Sequence, residues 1–268
     1  MWVHRSGEFY RERPIVIYEY QKGRDHQKPL SFYKDYKGIL VTDGLQQYHL
    51  VDKKLPRVTN ANCWAHAGRD FADAVKAMDK NDPSAVRNSV AYVALQKIGE
   101  FYNADTELKG LSPEERLQKR QETIQPLVED FFAWVKEQIS QCTVPPKSKT
   151  GQGLQYLIYQ ETYLKVFLTD GDVPIDNSAS ERSIRTFCIG KKNWMFHNTA
   201  NGASASAMVY SISETAKLND LRPYYYFRYI LTELPKRSDE NGNIDPSKLD
   251  DLMPWSSALP DECRKLRC

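Results

Sequence analysis

No run of about 18 apolar residues occurs in this 268-residue chain, so nothing in it reads as a membrane span. The opening Met1-Trp2-Val3-His4-Arg5 lacks the apolar stretch of a signal peptide. Cysteine is sparse: five residues (63, 142, 188, 263, 268), odd in number and without a Cys-x-x-Cys pair, read as reduced thiols in a cytosolic protein. An excess of either charge is lacking too. With 37 Lys+Arg against 35 Asp+Glu the formal charge is +2, which excludes a histone-like polycation and leaves room for a local basic site. There is no His-Glu-x-x-His, no Gly-x-Ser-x-Gly and no Gly-rich loop ending in Gly-Lys-Ser/Thr. Gly151-Gln152-Gly153 lacks the third glycine and the preceding strand of a dinucleotide loop. What is present, 41% hydrophobic and 12% aromatic residues, is enough to bury a substantial core.

The pattern changes along the chain. Trp2-Val3-His4-Arg5 and Pro14 to Tyr20 favour strands, and Lys22-Gly23-Arg24-Asp25 reads as the loop after them. Pro29 to Lys37 suits a short helix, and Ile39-Leu40-Val41-Thr42 fits a buried strand ending at Asp43-Gly44. From about Ala67 to Leu168 the period is helical, clearest in Ile124, Leu127, Val128, Phe131, Val135 and Ile139. Ser112-Pro113-Glu114-Glu115 marks a helix start, and Pro126 either starts or kinks one. Ser178-x-x-Glu181 matches a capping box for a helix to about Arg185, with Cys188 to His197 extended or irregular after it. Helices over Ala203–Leu218 and Pro223–Leu234 follow. Beyond Pro235 the charged, proline-punctuated chain reads as a loosely ordered tail.

Two carboxylates far apart in sequence stand in suggestive contexts. Asp43 ends a strand, where α/β folds place their chemistry. Glu181 shares its helix with Arg182 and Arg185, and Lys191 and Lys192 follow. Metal-dependent phosphoryl transfer needs such a set: carboxylates hold hard divalent ions roughly 3.5–4 Å apart, and cations hold the polynucleotide backbone. Each residue also has a plain role. Asp43 suits a turn, and Glu181 is the reciprocal half of the capping box with Ser178.

Several segments resemble the IS66-family transposases. Thr42-Asp43-Gly44-Leu45-Gln46-Gln47-Tyr48 is similar to the family's T-D-G-Y-x-x-Y, and Cys63-Trp64-Ala65-His66-Ala67-Gly68-Arg69 to C-W-A-H-A-R-R. Ile175 to Arg185 resembles I-D-N-N-x-x-E-R-x-I-R-P. Ile189 to Trp194 resembles I-G-R-K-N-W, Tyr210 to Lys217 resembles Y-S-L-I-E-T-A-K, and Leu252 to Trp255 resembles the C-terminal L-P-W. The match runs in order from Met1 to Trp255.

The resemblance implies an α/β fold: an RNase H-like core, truncated at its N-terminus, with a mainly helical insertion and a helical C-terminal part. The expected domains are 1–66 (first part of the core), 67–168 (helical insertion), 169–235 (rest of the core with the Glu-bearing helix) and 236–268 (tail). It implies a transposase of an insertion sequence that cuts and joins DNA with Mg²⁺ or Mn²⁺. Asp43 and Glu181 would be the second and third catalytic, metal-binding acids. Cys63 and His66 would support the site or, with two further ligands, hold zinc. Arg182, Arg185, Lys191 and Lys192 would contact DNA. The partners implied are the element's ends and target DNA, other element-encoded proteins and further copies of the chain, with no membrane. The place implied is the nucleoid in the cytoplasm. The family's first acid lies in an Asp-Glu-Thr segment upstream of a W-V-Y-R-like strand, and here Trp2 to Arg5 resembles that strand. No Asp precedes Asp25, and neither Asp25 nor Asp35 matches the position. The expectation is therefore a partial copy, inactive as this chain, or a non-catalytic DNA-binding or complementing fragment. Ser178 for the second Asn and Thr186 for Pro are lesser departures.

Overall fold

In the structure, a computed structural model, residues 1–23, 27–79, 81–142 and 144–265 are described. Strands β1 (Trp2–Arg5) and β2 (Val16–Glu19) come first, then α1 (Gln27–Tyr33), β3 (Gly38–Thr42), α2 (Gln46–Lys54) and β4 (Val58–Asn62). Helices α3 (Trp64–Ala67), α4 (Arg69–Lys76), α5 (Pro83–Arg87), α6 (Val90–Glu107), α7 (Pro113–Lys119), α8 (Gln125–Ser140) and α9 (Lys149–Leu164) follow. The last are α10 (Ser178–Trp194), α11 (Ala200–Leu218) and α12 (Pro223–Glu233). The chain divides into two compact units, 1–24 with 179–268, and 25–178. No helix among the described residues is long and apolar enough to cross a membrane.

In the first unit β1 and β2 pair antiparallel, with Val3 opposite Tyr18 and Arg5 opposite Val16. The Ser6 N–H donates to the Ile15 carbonyl at 3.0 Å. Alternation therefore turns the backbone groups of Val16 and Tyr18 to the outer edge of β2. A helix covers that edge. Thr215 Oγ1 accepts from the Val16 N–H (3.1 Å) and donates to the Val16 carbonyl (3.0 Å), while Ser211 Oγ accepts from the Tyr18 N–H (2.8 Å). One turn on, Asn219 Nδ2 reaches the Pro14 carbonyl at 2.9 Å. The match is geometric: four helical residues rise about 6 Å and two strand residues about 6.6–6.8 Å, so every fourth helix residue meets every second strand residue. Ser211, Thr215 and Asn219 thus act as a substitute strand. The opposite edge, Val3 and Arg5 of β1, receives no backbone hydrogen bond among the described residues.

The same asymmetry recurs in the second unit. Strands β3 and β4 are parallel, with Gly38 opposite Val58 and Thr42 opposite Asn62. The outer edge of β4 is served by α2 and the turn after it: the Val58 N–H donates to the Leu55 carbonyl, and the Asn60 N–H to Asp52 Oδ1. The far edge of β3 carries the backbone groups of Val41, which no hydrogen bond among the described residues reaches. Around this pair sits the larger core, centred on fully buried Trp64. Its indole N–H donates to the Leu164 carbonyl at 2.8 Å, and its ring meets Phe101, Phe131, Phe132 and Phe167.

The helical period predicted from Ala67 onward matches α4 to α9, and the Ser112–Glu115 capping box forms in both directions. Pro126 lies in the first turn of α8, directly after a π-turn over Arg120–Ile124. A proline cannot donate to the carbonyl four residues back, and a widened turn takes up that mismatch. Two expectations fail. Cys188 to Trp194 is helical, because α10 runs unbroken to Trp194. Gly190 does not end it, since a Cβ there would overlap the Tyr210 hydroxyl and the glycine serves close packing. The segment beyond Pro235 is packed as well. Leu252, Leu259 and Cys263 are buried beside α12, and the Tyr226 hydroxyl donates to the Leu252 carbonyl at 2.8 Å. Asp25 lies outside the described residues, and Asp35 follows α1 in a turn.

Candidate functional site

Asp43 directly follows β3, and its neighbours fix it from both sides. Its Oδ1 accepts the Leu45 N–H at 3.1 Å, a turn-forming bond. Gly44 has φ +80, and a Cβ there would overlap the Tyr156 hydroxyl, so this corner of the chain requires glycine. Below it runs a directed polar relay. Thr42 Oγ1 donates to Asn60 Oδ1 (3.0 Å), Asn60 Nδ2 to Asn62 Oδ1 (2.9 Å), and Asn62 Nδ2 to Gln160 Oε1 (2.9 Å). Burial pushes the Tyr156 hydroxyl up to about 12, with the Cys63 thiol and the Asp43 charge adding and Arg69 opposing. Burial and Asp43 also raise Tyr48. Asp43 is half-buried, and its charge is felt by two tyrosines that stay protonated at neutral pH.

Cys63 and His66 lie about one turn apart at the start of α3. The Thr42 carbonyl accepts the Cys63 N–H, and the Ile175 carbonyl accepts the Trp64 N–H. These bonds tie β3 and the Ile175-Asp176-Asn177 segment to one helix start. Cys63 is fully buried, and burial pushes its thiol up to about 11 despite the backbone N–H groups of Asn177, His66 and Ala65 facing it. A buried, protonated thiol is a poor nucleophile. Alkylation followed by peptide mass mapping should therefore label exposed Cys142 and Cys188 first, with Cys63 and buried Cys263 modified only on unfolding. Rapid labelling of Cys63 in the folded protein would contradict this setting.

Glu181 belongs to the other unit, so Asp43 and Glu181 each have their own surroundings. Helix α10 begins at Ser178 itself, one residue earlier than a Ser178 cap implies. Its inner face, Ala179, Ser183 and Phe187, is fastened to β1 and β2. Arg5 Nη1 donates to the Ala179 carbonyl (3.1 Å) and Ser183 Oγ (3.4 Å), and the Tyr18 hydroxyl donates to the Ser183 carbonyl (2.6 Å). The opposite face is left in solvent. At helical spacing it carries Glu181, Arg185, Cys188 and Lys192, all exposed. Arg182 is held by Glu8 at 2.7 Å. Arg185, Lys191 and Lys192 have no ion pair among the described residues, so they are the cations open to a phosphate backbone.

Among the described residues, no group of three or more His, Cys, Asp or Glu side chains stands together to hold a metal ion. The sequence reading passes over Asp176, whose charge adds to burial in raising the Tyr102 hydroxyl, although Asp176 lies within the motif from Ile175 to Arg185. It also overlooked the Ser211, Thr215, Asn219 ladder. The signal for that ladder was a run of short polar side chains at intervals of four.

Residues 1–205 match the family model described as "Transposase IS66 family", and residues 211–255 match "IS66 C-terminal element". Among curated proteins, the chain is similar to three from Sinorhizobium fredii. "Uncharacterized protein y4hP" is 28% identical over 90% of this chain and 44% of its own length. "Uncharacterized protein y4qI" is 27% identical over 91% and 43%, and "Uncharacterized protein y4jD" 25% identical over 91% and 46%. The chain spans less than half the length of these relatives. No solved structure matches it.

Proposed function

Because the chain belongs to the IS66 transposase family, we propose that it acts on insertion-sequence DNA as one part of a transposase and is not a complete nuclease. The observation that carries this reading is the pair of open strand edges. Val3 and Arg5 on β1 and Val41 on β3 present backbone groups without hydrogen-bond partners among the described residues, while the edges of β2 and β4 are served by helix and turn residues. Exposed strand edges are templates for another strand. A further strand from outside residues 1–268 would extend these pairs toward the RNase H-like core that the motifs imply.

In this reading Asp43 and Glu181 are two acids of the cutting site, and Cys63 and His66 support the Asp43 side structurally. The family implies divalent metal ions, which would polarise the phosphate under attack. The described donors do not assemble a set for them, so no catalytic step is assigned to this chain alone. Its own contribution is DNA contact through Arg185, Lys191 and Lys192 on α10.

Two measurements test this. Incubated with duplex carrying the element's ends and Mg²⁺ or Mn²⁺, the purified chain should neither cut nor join strands; robust strand transfer would overturn the reading. In anisotropy titrations it should bind duplex DNA with a salt slope of about −2.7, from three phosphate contacts at roughly −0.9 each. That slope is an affinity loss of about 40-fold between 50 and 200 mM salt. Lys192→Gln should lower the slope by about 1, and Glu181→Gln should leave binding intact. Binding that is absent or insensitive to salt removes the DNA-contact role.

A further inference from the structure

Helix α10 ends in an unusual way. The Met195 N–H closes the last turn on the Lys191 carbonyl at 2.7 Å, and Met195 itself is left-handed, with φ 57. That conformation is at home in glycine and disfavoured for a residue with a Cβ. Such an outlier persists where the surroundings over-determine it, and it is a pointer to function. Its consequence is a parting of two aromatic rings. Trp194 turns inward, 5.1 Å from Phe187 and 4.3 Å from His197. Phe196, two residues on, is 70% exposed, and Met195 is 68% exposed. Lys191 and Lys192, one turn back, are exposed and without ion pairs among the described residues.

We propose that Phe196, beside Lys191 and Lys192, is a stacking site for an unpaired base of DNA. This rests on the DNA-contact reading above and adds the form of the substrate. The charges decide the occupant. The core of a protein–protein interface is depleted in lysine, whereas single-strand sites combine aromatic faces for the bases with cations for the phosphates. A duplex hides its base faces, so an outward ring gains most from a strand that is locally unpaired.

The test compares a 20-nucleotide single strand with the duplex of the same sequence, by anisotropy at fixed salt, using the full chain. Phe196→Ala should weaken single-strand binding about tenfold and duplex binding less than twofold. Phe196→Trp should keep single-strand affinity. Phe196→Leu, apolar but without a ring, should lose it as alanine does. Because Phe196 is exposed, these variants should fold, which circular dichroism checks. Equal losses on both DNAs, or full affinity in Phe196→Leu, would overturn the stacking site while leaving DNA contact standing. A wild-type chain that binds neither DNA would overturn both.

Discussion

Replacing Arg120 with alanine should destabilise the second unit by about 3–5 kcal/mol in urea unfolding, the usual cost of removing one partner of a buried ion pair. Arg120 is fully buried. Its Nε donates to Asp105 Oδ1 at 2.7 Å, and its Nη1 reaches the carbonyls of Phe167 (2.9 Å), Asp170 (3.1 Å) and Val173 (2.7 Å). Arg116 adds a second tether, from Nη1 to the Gly171 carbonyl at 2.7 Å. Two arginines from the helical stretch thus hold the loop that leads into Ile175 and Asp176. The pair and the clasp separate experimentally. Arg120→Met with Asp105→Leu removes both charges and should recover the electrostatic part of the loss. It leaves three loop carbonyls without their donor, each costing about 1–3 kcal/mol if buried unsatisfied, so recovery should be incomplete. An Arg120→Ala midpoint equal to wild type would refute the clasp.

That clasp marks a boundary of what the sequence makes legible. Arg120 lies in a charged run, Gln118-Lys119-Arg120-Gln121-Glu122, where nothing distinguishes it from its solvated neighbours. Local signals read well where local physics decides. The apolar stripe of α8 and the helix start at Ser112 need only neighbours in sequence; the helix starts there, and of the six stripe residues Leu127 alone is exposed. The strand ending at Asp43 was visible for the same reason. Strand β4 escaped notice because Val58-Thr59-Asn60-Ala61-Asn62 buries its asparagines in the relay, so its inward face is polar and the alternation is masked. The region after Cys188 is helical where the sequence reads as extended or irregular, and its Gly190 serves a close approach by Tyr210 from another helix, which no local pattern shows. The tail reads as loose from its charge, because the buried Leu252, Leu259 and Cys263 are too widely spaced to form a pattern. In the candidate site, the motifs named Asp43, Cys63, His66 and Glu181. Which cations remain open depends on Glu8, 174 residues from Arg182 in sequence.

Thr215→Val should be the most damaging conservative change in the first unit. Valine keeps the shape of threonine and loses its hydroxyl, which serves both the N–H and the carbonyl of Val16. Val16 is almost fully buried, so each abandoned group should cost about 1–3 kcal/mol, and the two together about 2–6 kcal/mol. Ser211→Ala should cost less, since its main bond is the single one from the Tyr18 N–H and its site is only half-buried. Thr215→Ser keeps the hydroxyl and should restore most of the loss. Urea midpoints for the three variants test the order Val worse than Ala worse than Ser. Equal midpoints for Thr215→Val and Thr215→Ser would mean that the hydroxyl does not serve the strand. The effect reaches the candidate site through β2, whose Tyr18 hydroxyl holds the Ser183 carbonyl in the helix turn after Glu181. A strand edge loosened by Thr215→Val should therefore weaken duplex binding by α10 as well.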